Sequence, residues 1–232
     1  MPTIVTESLL LPHGAISVQW RRSARARRIS LRIDPREGGV IVTLPVRAAQ
    51  SAGRALLMDH AGWVADRLAR LPTAIGFVDG AEIMLDGRPV RIAHAPSART
   101  TRRAGDILHV GGAPEFLARR VTDLLRAQAR QRLGAAALGI AATAGLRVRR
   151  VVVKDTRTRW GSCTAGGTLM FNWRLVMAPP LVQDYVVAHE VAHLRHMDHS
   201  PRFWALVAEL TPHRAAASRW LELEGAGLMR AG

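Results

Sequence analysis

Cysteine is all but absent. Cys163 stands alone among 232 residues, so no intrachain disulfide can form, and a structural zinc site closed by several thiolates is excluded. Lysine is nearly as scarce: Lys154 is the only one, and every other basic side chain is arginine. A bias that complete follows from genome composition more readily than from selection at each position. Acidic residues number 18 against 33 basic ones, giving a net charge of +15 and a pI of about 11.7. Such an excess attracts phosphates, nucleic acid or acidic surfaces at low salt. Long apolar runs are missing too. No uncharged run is longer than that of residues 133–146, which is rich in alanine and glycine and too short to span a bilayer, so no membrane partner is expected. The first residues, MPTIVTESLLLPHG, have no basic leader and do not read as a secretory signal. With a single thiol, the expectation is a cytoplasmic protein. A glycine-rich Walker loop is also lacking, which weighs against nucleotide binding by that route.

What is present is 48% hydrophobic sequence, enough for one sizeable core or a small domain beside a medium one. Residues 15–22, 28–34 and 39–45 alternate apolar and polar side chains, as strands do. A helical period runs from 47 to 71 and stops at Pro72. Residues 81–95 read as a hairpin about Asp86-Gly87, 96–105 as a polar loop and 106–110 as a strand. Pro114 opens and Gly145 closes a long helix. Strands at 147–155 and 168–176 flank a turn-rich connection, and Pro179-Pro180 introduce a helix over 181–195. Two shorter helices follow near 201–210 and 214–223. The sequence thus divides into a β-rich N-terminal region with one helix, residues 1–112, and a catalytic region, 113–232.

Four of the nine histidines crowd into HEVAHLRHMDH, residues 189–199. On a helix, positions i and i+4 share a face. His189 and His193 can therefore aim both imidazoles at one zinc ion, with Glu190 beside it as general base. Catalytic zinc takes three protein ligands and a water. Three residues compete for the third place. His196 lies further along the helix, about 4.5 Å past His193 at 1.5 Å per residue, too far to reach an ion already set between the first two. Asp198 and His199 follow the helix, where a bend can return a side chain. His199 is favoured on geometry, Asp198 second and His196 last. An α+β fold is expected, a zincin-like core whose HExxH helix packs on a small β-sheet behind the β-rich region.

These residues resemble a known family. RWGSC (159–163), FNWRLVMAPP (171–180), YVVAHEVAHLRHMDHS (185–200) and PRFW (201–204) are similar to segments of the YgjP-like metallopeptidases, relatives of the SprT-like zinc proteases. The N-terminal segment RRSARARRISLRI and the Trp63 helix resemble the family less specifically. The resemblance implies one zinc ion held by His189, His193 and His199, with Glu190 as the catalytic glutamate. Asp198 departs from the asparagine expected there.

Other residues carry weaker signals. Cys163 reads as packing rather than ligand or nucleophile, and Phe203 and Trp204 as core. Arg157 and Arg159 are candidates to hold a phosphate or an oxyanion, although a solvated face is the commoner outcome for such residues. Asn172 and Arg174 alternate along one strand face as candidates to line the cleft. Three functions compete: a zinc metallopeptidase acting on protein or peptide, with strand 168–176 pairing the substrate; a zinc-dependent phosphoanhydride (nucleotide) hydrolase using the arginines; and a nucleic-acid-associated protein whose metal is structural, recognised through Arg21, Arg22, Arg25, Arg27 and Arg28.

Overall fold

The computed structural model describes residues 4–232, which form two compact units, one ending at Thr73 and one running from Ala74 to Gly232. In the first, β1 (Ile4–Leu11), β2 (Gly14–Ser23), β3 (Ser30–Asp34) and β4 (Gly39–Pro45) make a sheet of order β1-β2-β4-β3. Alternation buries Val18 and Trp20 of β2 and Val40, Val42 and Leu44 of β4. They meet Leu57 of α1 (Gln50–Asp59) and Val64 of α2 (Ala61–Ala69). The sequence period suggested one helix over 47–71; there are two. The break is at His60, whose φ of −108° leaves the helical range and whose ring Nδ1 lies 2.9 Å from the Leu56 carbonyl oxygen.

The second unit begins with β5 (Glu82–Leu85), β6 (Arg88–His94), β7 (Arg102–Ala104) and β8 (Ile107–Val110), in sheet order β5-β6-β8-β7. β7 lies inside the segment that reads as a polar loop; its three residues, two of them arginine, carry no apolar signal. The inward side chains Ile83, Leu85, Val90, Ile92 and Leu108 belong to the same apolar core as the helices that follow, so this sheet is part of the second unit. α3 (Leu117–Thr143) contributes Val121, Leu125, Ala129, Leu133, Ala137 and Ala141 at four-residue steps, one stripe of an amphipathic helix. Three alanines in that stripe allow close approach.

β9 (Arg150–Lys154), β10 (Gly161–Cys163) and β11 (Thr168–Asn172) form a sheet of order β10-β11-β9. The strand expected over 168–176 ends early. Asn172 Oδ1 accepts from the Arg174 amide at 3.0 Å and turns residues Trp173–Met177 into a buried 3-10 helix. Then come α4 (Pro180–Ala192), α5 (Pro201–Leu210) and α6 (Arg214–Met229).

The start of α4 is fastened by the β5–β6 turn. The Asp86 and Gly87 amides donate to Val176 O and Met177 O, and Gln183 Nε2 donates to Ala178 O at 2.8 Å and to Asp86 Oδ1 at 3.2 Å. Gly87 has φ +70°, and a Cβ there would sit 2.7 Å from Pro179 Cγ, so glycine serves both the turn and the close contact. Among the described residues no helix is long and apolar enough to cross a membrane.

Candidate metal centre

α4 packs against β10 and carries His189 and Glu190 in its last turn. It stops at Ala192, three residues short of the expected end. His193 sits at the cap with φ −65° and ψ −16°, so it keeps the helical i, i+4 relation to His189, while His196 has already left the helix. Chain reversal over 194–199 and the proline-led start of α5 at Pro201 bring His199 back. One ring nitrogen from each of His189, His193 and His199 lies within 4.8 Å of the others.

Two observations test whether this triad suits a zinc ion. The Nε2 atoms of His189 and His199 are 3.3 Å apart. Two nitrogens at 2.0–2.1 Å from a tetrahedral ion stand about 3.3–3.4 Å from each other. On His193, Nδ1 lies 2.9 Å from the His196 carbonyl oxygen. A carbonyl only accepts, so Nδ1 carries the proton and Nε2 keeps its lone pair, the usual way of fixing a ligand tautomer. The residues fit the ion. His196 thus participates through its backbone, and its ring is outside the triad.

Electrostatics agree. Burial first, then the neighbouring His193, His199 and Arg214 charges, lower the His189 pKa to about 4. His193 is also held below its ordinary value, chiefly by burial. Both are neutral near pH 7, as ligation requires. The rings are wedged by aromatics. Phe203 stacks on His193 with centroids 4.5 Å apart, and Trp204 stacks on His199 at 5.6 Å. Arg214 covers Trp204 at 3.6 Å. Asp198 is not among the converging ligand atoms; it is exposed, and its hydrogen bond with the Ser200 hydroxyl holds its carboxyl below the usual range. That bond takes Ser200 from the capping role its position suggests; no side-chain cap bond forms at α5.

Glu190 lines a cavity of about 180 Å³ with Trp160, Gly161, Tyr185, Val186 and His189. Burial raises its pKa to about 7, the Arg159 charge opposing the shift. Its Oε2 is buried without a hydrogen-bond partner. Its other face rests on β10. A Cβ on Gly161 would fall 2.7 Å from Glu190 Cδ and closer still to Oε1. Glycine at 161 is therefore what lets the carboxylate lie where it does. No pattern in the sequence points to this contact, nor to Tyr185, which stands four residues before His189 and so on the same helix face.

The remaining candidates separate. Arg157 and Arg159 are exposed in the turn before β10. Asn172 is fully buried; its Nδ2 donates to Thr156 O at 2.8 Å and Thr156 Oγ1 at 3.0 Å, and Thr156 in turn donates to Arg159 O. Asn172 thus braces the arginine turn from behind. Arg174 is buried too, paired with Asp155 and donating to Ala231 O, rather than lining the cleft. Burial and the Glu190 charge push the Cys163 thiol up to about 11, so it stays protonated at neutral pH and is no nucleophile. Arg25, Arg27 and Arg28 are exposed on the β2–β3 connection of the first unit.

A family model described as YgjP-like, metallopeptidase domain, matches residues 27–224. No curated protein and no solved structure matches the chain.

Proposed function

From the premise that the chain belongs to the YgjP-like metallopeptidase family, we propose that it is a zinc-dependent peptidase with Glu190 as general base and His189, His193 and His199 as ligands of one zinc ion. The observation that carries this reading is the convergence of three histidine ring nitrogens within 4.8 Å beside a buried glutamate with an unpartnered oxygen. A zinc ion bound there supplies Lewis acidity toward a carbonyl oxygen and makes water more acidic.

The chain's own residues do the rest. Glu190, which lines the cavity and keeps one oxygen without a partner, takes the proton of the attacking water and passes it to the leaving amine. A carboxylate whose pKa lies near 7 can serve in both directions at neutral pH. The substrate backbone needs a strand edge. β11, which the sequence pattern nominated, is paired on both sides, to β9 and β10. Of the two edge strands, β10 and β9, it is β10 that passes against Glu190 at Gly161, so an extended peptide pairs there. Arg159, held by the Thr156–Asn172 brace, faces the charge that develops beside Glu190.

The test compares zinc-loaded wild-type and Glu190→Gln protein on unfolded casein and on a panel of nucleoside triphosphates, each with and without chelator. Wild type should cut casein, chelator should stop it, and Glu190→Gln should keep its zinc and lose at least about 100-fold in rate. Triphosphate hydrolysis without peptide cleavage would contradict the peptidase reading, and wild-type turnover by the glutamine variant would remove Glu190 as base.

A further inference from the structure

Beyond the triad, His193 also borders a second cavity, of about 570 Å³, together with Arg147, Arg149, Thr164, Gly166 and Met197. No acidic side chain lines it. Arg147 and Arg149 are both exposed, and no carboxylate pairs with either among the described residues. The floor is rigid. The Arg149 amide donates to Gly167 O at 2.9 Å, the Gly167 amide donates to Thr164 O at 2.9 Å, and Thr164 Oγ1 accepts from the Thr168 amide. The Arg149 guanidinium lies across this turn, its Nη1 3.8 Å from where a Cβ on Gly166 would stand.

β10 links the two cavities. Gly161, its first residue, lines the Glu190 cavity, and Thr164, just past its end, lines the arginine cavity. At about 3.3 Å per residue the two points are about 10 Å apart along the strand. A peptide paired to β10 covers that distance with about three residues.

We propose that the Arg147–Arg149 cavity is a carboxylate-binding subsite, which makes this protein selective for peptides bearing a carboxylate about three residues from the scissile bond. The inference rests on the peptidase reading above and names its substrate class. The Arg149 guanidinium over a fixed turn, with Arg147 in the same lining, suits a planar, bidentate acceptor, and nothing in the lining repels a negative charge. The carboxylate has two sources, an acidic side chain within the peptide or its free C-terminus.

The experiment uses fluorescently labelled eight-residue peptides that differ only at the third residue on either side of a common scissile bond, with Glu, Gln or Lys there. A second pair, truncated at that residue, ends in a free carboxylate or an amide. Binding to zinc-loaded Glu190→Gln protein is read by anisotropy, and cleavage by the wild type as kcat and KM. The Glu peptide should bind about tenfold tighter than the Gln peptide, with the gain in KM, and the preference should shrink at high salt. Arg147→Glu/Arg149→Glu should invert it toward Lys while the zinc content stays at the wild-type level. A matching gain for the free-acid peptide over its amide assigns the subsite to chain ends; a gain only for internal Glu assigns it to side chains; both support the proposal. Equal binding of Glu, Gln and Lys peptides with equal binding of acid and amide overturns the subsite and leaves the peptidase reading standing. Displacement of the Glu peptide by ATP far below the peptide's own Kd reassigns the cavity to phosphates and overturns it as well. Absence of binding and cleavage for every peptide overturns both readings.

Discussion

Gly161 and Glu190 meet, and although both stand in segments that resemble the family, their contact was not visible in the sequence. HExxH spacing announces its own geometry because the helix period fixes it; a contact between a strand and a helix 29 positions later has no such period. Gly161→Ala would place a methyl group 2.7 Å from Glu190 Cδ, so the carboxylate must move. Misplacing a reacting group by about 1 Å costs on the order of 100-fold in rate. The expected result is a kcat lowered to that degree, with zinc content unchanged; a variant with wild-type kcat would show that the contact does not position the base. Glu190 also leaves a mark on stability. In the metal-free protein it holds its proton up to about pH 7, whereas in the unfolded chain it releases it near the ordinary value of 4.5. The folded chain therefore binds more protons across that window, and this contribution to stability is lost as pH rises from about 4.5 to about 7. His189, lowered to about 4, contributes in the opposite sense between about 4 and 6.5, in wild type and variant alike. Metal-free Glu190→Gln should thus gain on metal-free wild type through pH 4.5–7 in urea unfolding. A difference that stays flat with pH would refute the buried, protonated glutamate.

At the scale of elements, the sequence pattern located most strands and helices but misplaced what happens at their ends. The helix expected to reach residue 195 stops at Ala192, and that early stop is what frees the chain to carry His199 back to the triad. β10 was hidden because three residues, Gly-Ser-Cys, show no alternation, yet it is the sheet edge that meets Glu190. The sequence pattern places Asn172 on a strand face as a candidate to line the cleft. Instead it ends β11, caps the 3-10 helix and holds the Thr156–Arg159 turn. Replacing it with alanine leaves the Thr156 carbonyl and Arg174 amide short of partners. Asn172→Ala should cost about 2–3 kcal/mol of stability in denaturant titration, with a larger proportional loss in kcat than in zinc affinity, since the turn bears on Glu190 and not on the histidines. Zinc loss equal to the loss in kcat would contradict that division.

Across the whole molecule, two separate apolar cores predominate, one around Trp20 and Leu57 and one around α3 and α4. The sequence could not reveal the division at Thr73, because the strands of 82–110 look like those of 14–45; what separates them is which helices their inward faces meet. The two cores are expected to melt as two calorimetric transitions, and zinc at 100 times its Kd should stabilise the one that holds the histidines by about 2.7 kcal/mol. Equal shifts in both, or in neither, would count against a site confined to residues 189–199. The positive charge is a further property of the entire chain: if a polyanion binds, neutralising Arg25, Arg27 and Arg28 together should flatten the salt dependence of that binding, as fewer counterions are released, and an unchanged slope would clear this loop of the role. The central claim is that His189, His193 and His199 hold one catalytic metal, and zinc stoichiometry by elemental analysis tests it most directly. Wild type, His196→Ala and Asp198→Ala should each retain about one zinc per chain after exhaustive dialysis, while His193→Ala and His199→Ala lose it. A His199→Ala protein that keeps its full zinc, while His196→Ala or Asp198→Ala releases it, would contradict the site.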